Sequence, residues 1–260
     1  MAKRNRQEVQ DRRKDKKSKK TRKEVQPQKF QEARKAKVIP LHAKNPRQQS
    51  ALENFTEKQL NVLSGSAGVG KTELAVWWAC KRWLEGDIDT IVVTRPAQSL
   101  GKDGGAVGGG DAEKLLLYVM PILLKIRKYL GMGTFMNNLQ METSDMLFQE
   151  ASGICIIPVE KIAGMSFNER TIIIGDEIQS ATVPQVKALA TRAEEGCQLI
   201  ICGDVTQSAL HGVNGLKYLE DALLANPHEL IGVTHFLPED CQRKGVSAHL
   251  TGVFEKEGQW

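Results

Sequence analysis

Gly65-Ser66-Ala67-Gly68-Val69-Gly70-Lys71-Thr72 fills every fixed position of the pattern G-x-x-x-x-G-K-[ST]. Its three glycines allow φ > 0 and bring backbone N–H groups against phosphate oxygens, where a Cβ would stand in the way. Lys71 is placed to reach the β and γ phosphates of a nucleoside triphosphate, and the Thr72 hydroxyl to coordinate Mg²⁺. The helix that starts here turns its positive end to the same anion. Ser66, Ala67 and Val69 complete the cradle with main-chain groups. The flanks agree. Leu60-Asn61-Val62-Leu63-Ser64 is a short, mostly apolar run, as a buried strand would be. Glu73 to Glu85 places Leu74, Trp77, Trp78, Lys81 and Leu84 at three- and four-residue spacings, which predicts an amphipathic helix packed on a sheet.

Outward from this unit, apolar strand-like runs alternate with helical segments, which predicts an α/β fold with a mostly parallel sheet flanked by helices. The candidate strands are Leu60 to Ser64, Thr90 to Thr94, Ile154 to Ile157, Thr171 to Gly175, Leu199 to Cys202 and Leu230 to Thr234. The clearest helices are Glu73 to Glu85, Ala112 to Leu130 and Val183 to Glu194. Six glycines within Gly101 to Gly110 mark a flexible loop. Residues 47–260 are expected to form one domain, preceded by a linker over 38–46.

Residues 1–37 are a different physical object. They hold sixteen Lys or Arg against five Asp or Glu, net +11, which leaves −6 on the rest of a chain whose total is +5. With so few apolar residues the segment cannot offset its ordering entropy. It is either a disordered basic arm or a charged helix that forms on a partner. Binding a nucleic-acid backbone is the functional reading; a solvated tail is the alternative. No apolar run is long enough to span a bilayer and no secretory leader is seen, so no membrane is expected. The five cysteines lack a C-x-x-C pair, which points to free thiols in a reducing cytoplasm and not to zinc.

Hydrolysis also needs an acid to hold metal and a group to position water. Thr171-Ile172-Ile173-Ile174-Gly175-Asp176-Glu177 offers both, at the end of a strand expected beside the glycine-loop strand. Asp176 is placed to hold Mg²⁺ through water, and Glu177 to act as general base. A third strand ends in Cys202-Gly203-Asp204-Val205-Thr206-Gln207. Asp204 and Gln207 there either meet the γ-phosphate or its water, or only cap the next turn.

Asp176-Glu177-Ile178-Gln179 with Gly203-Asp204-Val205-Thr206-Gln207 resembles motifs II and III of superfamily 1 helicases. More closely, the stretch from Asn45 onward resembles the PhoH family of phosphate-starvation-inducible ATPases. The resemblance rests on Asn45-Pro46-Arg47-Gln48-Gln49, the glycine loop and Val93-Thr94-Arg95-Pro96-Ala97. It continues through Asn168-Glu169-Arg170, the two motifs above and Asp240-Cys241-Gln242-Arg243, in the family's order. It implies a RecA-like P-loop domain that binds ATP with Mg²⁺ and assembles into homo-oligomeric rings, a hexamer among the options. Gln48, or Gln49, would recognise adenine. Gln179 and Gln207 would couple the γ-phosphate to nucleic-acid contacts, and Arg95 would meet a nucleic-acid phosphate. Arg243 would stabilise transition-state charge, in its own subunit or a neighbour's. The chain departs from the family at Ala163-Gly164-Met165, where an Arg-Gly-Arg segment is usual, and at Asp103 to Gly110, where a Leu, Gly and Pro loop is usual.

Two functions follow. One is a helicase-like ATPase coupled to RNA or single-stranded DNA, with Lys71, Thr72, Asp176 and Glu177 carrying the chemistry. The other is a nucleotide-responsive nucleic-acid-binding or ring-assembly protein without unwinding activity, because a single RecA-like domain lacks a second lobe to close on ATP. A kinase would need a lid and a second substrate site, and no arginine-rich lid separates the strands.

Overall fold

The computed structural model describes residues 37–96, 111–140, 153–193, 196–207 and 214–257. The basic arm before Lys37 and the glycine-rich loop of residues 101–110 lie outside the described residues.

A helix, α1 (Pro46–Glu57), starts where the linker was expected to end. Asn45 caps it, its side-chain oxygen accepting from Gln48 N at 2.8 Å, and proline suits a first-turn position that needs no N–H. Then come β1 (Leu60–Gly65), α2 (Lys71–Glu85), β2 (Thr90–Thr94) and α3 (Asp111–Leu130). They are followed by α4 (Met132–Asn138), β3 (Leu139–Gln140), β4 (Gly153–Ile156), α5 (Val159–Ile162) and β5 (Thr171–Gly175). A 3₁₀ turn (Ile178–Ser180), α6 (Val183–Ala190), β6 (Gln198–Cys202), α7 (Gly215–Ala225) and β7 (Ile231–Phe236) complete the sheet region. A second 3₁₀ turn (Pro238–Asp240) leads to α8 (Val246–Glu257). The expected α/β class holds. Helix α6 ends at Ala190, short of Glu194, which lies outside the described residues.

All pairings among the seven described strands are parallel, in the order β3-β4-β2-β5-β6-β1-β7. This corrects the expected neighbour of the Asp176 strand. β5 does not lie beside β1, because β6 pairs with both and separates them. The central strands have buried cores: Ile172, Ile173, Ile174, Leu199, Ile200 and Ile201 are at most 1% exposed, as a parallel sheet covered on both faces requires.

The α2 face also differs from its expected stripe. Trp83, Ala79, Val76 and Leu74 turn inward with Trp78 and Leu84, while Trp77 and Lys81 are only half-buried. Trp77 instead donates its Nε1–H to Ile39 O, and Lys81 pairs with Glu85 on the surface. A wide apolar arc left the rotation of the helix undetermined by the sequence.

Register brings the carboxyl ends of the central strands to one edge: Leu63 faces Cys202, Gly175 faces Ile201, and Thr94 faces Gly175. In a parallel sheet of this kind that edge is where ligands bind.

Candidate functional site

The glycine loop leaves β1 and enters α2 at that edge. Gly65, Gly68 and Gly70 have φ of 121°, 83° and 97°, the conformations for which glycine was expected. A Cβ on Gly65 would fall 2.1 Å from the carbonyl oxygen of Phe236 on the paired strand β7. One built on Gly68 would meet Cγ, Cδ and Nε of Arg243 at 2.8, 2.9 and 2.9 Å. Beneath the loop, Ser64 Oγ donates to Glu220 Oε1 at 2.6 Å, and His235 Nδ1 lies 2.9 Å from that hydroxyl. Ser64 and Glu220, both buried, and the exposed His235 fix the root of the loop. Nothing in the spacing of residues 64, 220 and 235 announced it.

Lys71 Nζ donates to the loop's own carbonyls, Gly65 O at 2.5 Å and Ser66 O at 2.8 Å. Burial lowers its pKa, while nearby charges, led by Asp204, act in the opposite direction. Thr72 Oγ1 donates to Asp176 Oδ1 at 2.8 Å, so the two expected Mg²⁺ residues are brought together although β6 separates their strands. Asp176 is 6% exposed. Burial and then the Glu177 charge raise its pKa, against the Thr72 hydrogen bond and the positive charges of Arg95 and Lys71.

Glu177 follows with φ of 54°, the one left-handed non-glycine residue described. Its carboxylate is held by Gln179, whose Nε2 donates to Glu177 Oε2 at 2.6 Å. The other end of the same amide, Oε1, accepts from Asp204 N at 3.1 Å. Gln179 therefore ties the end of β5 to the end of β6. Asp204 caps the turn, Oδ1 accepting from Thr206 N and Oγ1, while Oδ2 accepts from Gln207 Nε2 at 2.8 Å, and both residues line the cleft.

Gln48 reaches the loop from α1. Its Nε2 donates to Val69 O at 2.8 Å and its Oε1 accepts from Lys44 N at 2.9 Å, so both ends of this buried amide brace backbone. Gln49 points outward and pairs with Glu53. Arg95 donates from Nη1 to Tyr118 O on α3 and lies near enough to Asp176 to act on its charge. Arg243 packs over Gly68 of its own chain, fixed by Gln242 N donating to Gly68 O at 2.9 Å. Asn168-Glu169-Arg170 sits at the opposite edge of the sheet, where Arg170 pairs with Asp89 before β2.

A cleft of about 240 Å³ opens among these groups. The loop contributes Ala67, Gly68, Gly70, Lys71 and Thr72, and the ends of β5 and β6 contribute Asp176, Glu177, Gln179, Gly203, Asp204 and Gln207, with Arg243 opposite. Glu73 and Lys125 also line it, and neither was expected there. The available signal was Glu73's position directly after Thr72, and the shared face of Lys125, Lys128 and Tyr129 on one helix. A second cleft, about 290 Å³, lies by Phe55, Trp78 and Leu230 at the other end of the strands and contains none of these residues. Cys80, Cys155, Cys197 and Cys202 are buried free thiols and Cys241 is half-buried. No helix among the described residues is long and apolar enough to cross a membrane.

The family described as PhoH-like protein matches residues 40–255. Protein PhoH of Escherichia coli (strain K12) is 34% identical over 209 residues, which are 80% of this chain and 56% of that protein. Protein PhoH2 of Bacillus subtilis (strain 168) is 30% identical over 196 residues, 72% of this chain and 42% of that one. The chain thus spans about half the length of these curated relatives. Among solved structures, the HK97 bacteriophage large terminase is similar in fold, with a TM-score of 0.52 and 13% identity over 87% of this chain and 49% of that one.

Proposed function

The chain belongs to the PhoH-like family, and on that premise we propose that it is a magnesium-dependent ATPase whose turnover is coupled to RNA or single-stranded DNA. The observation that carries the reading is the convergence of Lys71, Thr72, Asp176 and Glu177 on one cleft, with Thr72 already hydrogen-bonded to Asp176. Each has a distinct task. Lys71 exchanges its two carbonyl partners for phosphate oxygens, and its partial burial strengthens that contact. Thr72 and Asp176 are the residues that would hold Mg²⁺, and their chemistry fits, a hydroxyl beside a buried carboxylate. Bound there, the ion would neutralise β- and γ-phosphate oxygens.

Glu177 takes the proton of the attacking water, and the Gln179 amide keeps that carboxylate aimed. Because Gln179 also holds the backbone of Asp204, a shift of Glu177 at the γ-phosphate would reach Gln207 through three hydrogen bonds. Arg243 would offset charge that develops on the phosphate, and its packing over Gly68 of the same chain supports that role within its own subunit. Gln48 sets the carbonyl of Val69 and with it the shape of the loop.

Coupling to a polynucleotide rests on the +11 charge of residues 1–37 and on the resemblance of Asp176 to Gln179 and Gly203 to Gln207 to helicase motifs II and III. The test is phosphate release from Mg²⁺–ATP with and without single-stranded RNA or DNA. Stimulation is expected, and deletion of residues 1–37 should weaken polynucleotide binding and flatten its salt dependence. ATPase activity indifferent to either polymer would favour the alternative, a nucleotide-responsive ring-assembly protein without unwinding activity. The single described sheet, with no second lobe among the described residues to close on ATP, is what favours that alternative.

A further inference from the structure

We propose that Lys125, presented from α3, is a second phosphate-binding cation of the nucleotide cleft, held ready by Glu73. The proposal rests on the reading of this cleft as an ATP site.

Lys125 is far in sequence from every phosphate-binding motif, yet it lines the cleft with Lys71 and Thr72. Its Nζ donates to Glu73 Oε2 at 2.6 Å, and Glu73 occupies the first turn of α2, directly after Thr72. The other oxygen of that carboxylate is served twice. Lys128 Nζ donates to Oε1 at 2.7 Å and Tyr129 OH donates to it at 2.6 Å. A tie between α2 and α3 needs only the last two. If Lys125 turned to another acceptor, Glu73 would keep two donors and would not be left an unpaired, half-buried charge. An ammonium with three rotatable donors can also hold Glu73 and a phosphate oxygen at once.

Electrostatics favours the exchange. The cleft wall carries four carboxylates, Glu73, Asp176, Glu177 and Asp204, against three cations, Lys71, Lys125 and Arg243. A triphosphate adds further negative charge to this excess, so each cation within reach lowers the cost of binding it. Lys128 provides an internal contrast: it contacts the same carboxylate but is 58% exposed and stands outside the cleft wall.

The experiment is direct titration of the full chain with Mg²⁺–ATP. Lys125→Met is expected to weaken binding about ten- to a hundredfold, the worth of one hydrogen bond to a charged group. Lys125→Arg should recover most of the loss, and Lys128→Met should stay within about twofold of the parent. If Lys125→Met loses its cooperative melting transition, Lys125→Gln is titrated in its place. Parental affinity in the neutral Lys125 variant, with affinity lost in Lys71→Met, overturns the proposal and leaves the ATP site standing. An equal loss in Lys128→Met also overturns it, since the effect would then run through Glu73. A parent protein that binds no ATP removes both readings.

Discussion

Gly68→Ala places a methyl group where Arg243 lies. Its Cβ would stand 2.8 to 2.9 Å from Cγ, Cδ and Nε of that side chain, whereas carbon atoms in contact prefer about 3.5–4.0 Å. Arg243 must therefore retreat by roughly 0.7–1 Å, and a displacement of about 1 Å at a catalytic group costs on the order of a hundredfold in turnover. At φ of 83° the alanine also adds about 1–2 kcal/mol of left-handed strain. For a domain of this size that is a fall of about 2–8 °C in Tm. The two effects separate in a double-mutant cycle read by phosphate release at saturating Mg²⁺–ATP. If Gly68→Ala acts through Arg243, it should lower kcat by little more than twofold in an Arg243→Ala background. A further hundredfold drop there would refute the reasoning, since the methyl group would then be acting on the phosphate cradle itself.

Gly65→Ala directs its Cβ at the backbone oxygen of Phe236, which cannot yield without parting β1 from β7, so about 3 kcal/mol or more should be lost in urea unfolding. A loss under about 1 kcal/mol would contradict it. Glu73→Gln removes a carboxylate whose pKa falls from 4.5 to about 2 on folding. The stabilisation is complete above the unfolded value and is lost as pH falls through the folded one. With the carboxylate partly exposed, the gap between parent and variant should be about 1–2 kcal/mol at pH 7 and shrink toward pH 2, and a gap that widens in acid would count against it. Gln48→Ala strips partners from Val69 O and Lys44 N, so a loss of about 1–3 kcal/mol is expected in the same assay together with weaker ATP binding.

What the sequence made legible was local. The P-loop pattern, the burial of Ile172 to Ile174 and the polar groups at strand ends depend on residue type and short spacing; the first and last meet at the cleft, and the isoleucines are buried in the sheet. What escaped was set by packing at long range. Both β1 and β5 read as buried parallel strands, and only the pairing of β6 with each decides that they are not neighbours. Trp77 and Trp83 are chemically equal candidates for the core, and only the sheet beneath α2 distinguishes them. Arg95 looked available to a bound strand because the Tyr118 carbonyl that holds it belongs to a helix 23 residues onward. Glu73 and Lys125 meet across 52 residues, a contact that no motif spacing encodes.

Single-turnover and steady-state phosphate release from Mg²⁺–ATP by the parent, Lys71→Ala and Glu177→Gln, with ATP binding measured in parallel, bears most directly on the central claim. The assignment predicts that Lys71→Ala loses binding, while Glu177→Gln still binds ATP but turns it over at least about a hundredfold more slowly, the loss of a general base. Hydrolysis by Glu177→Gln at the parental rate would contradict it.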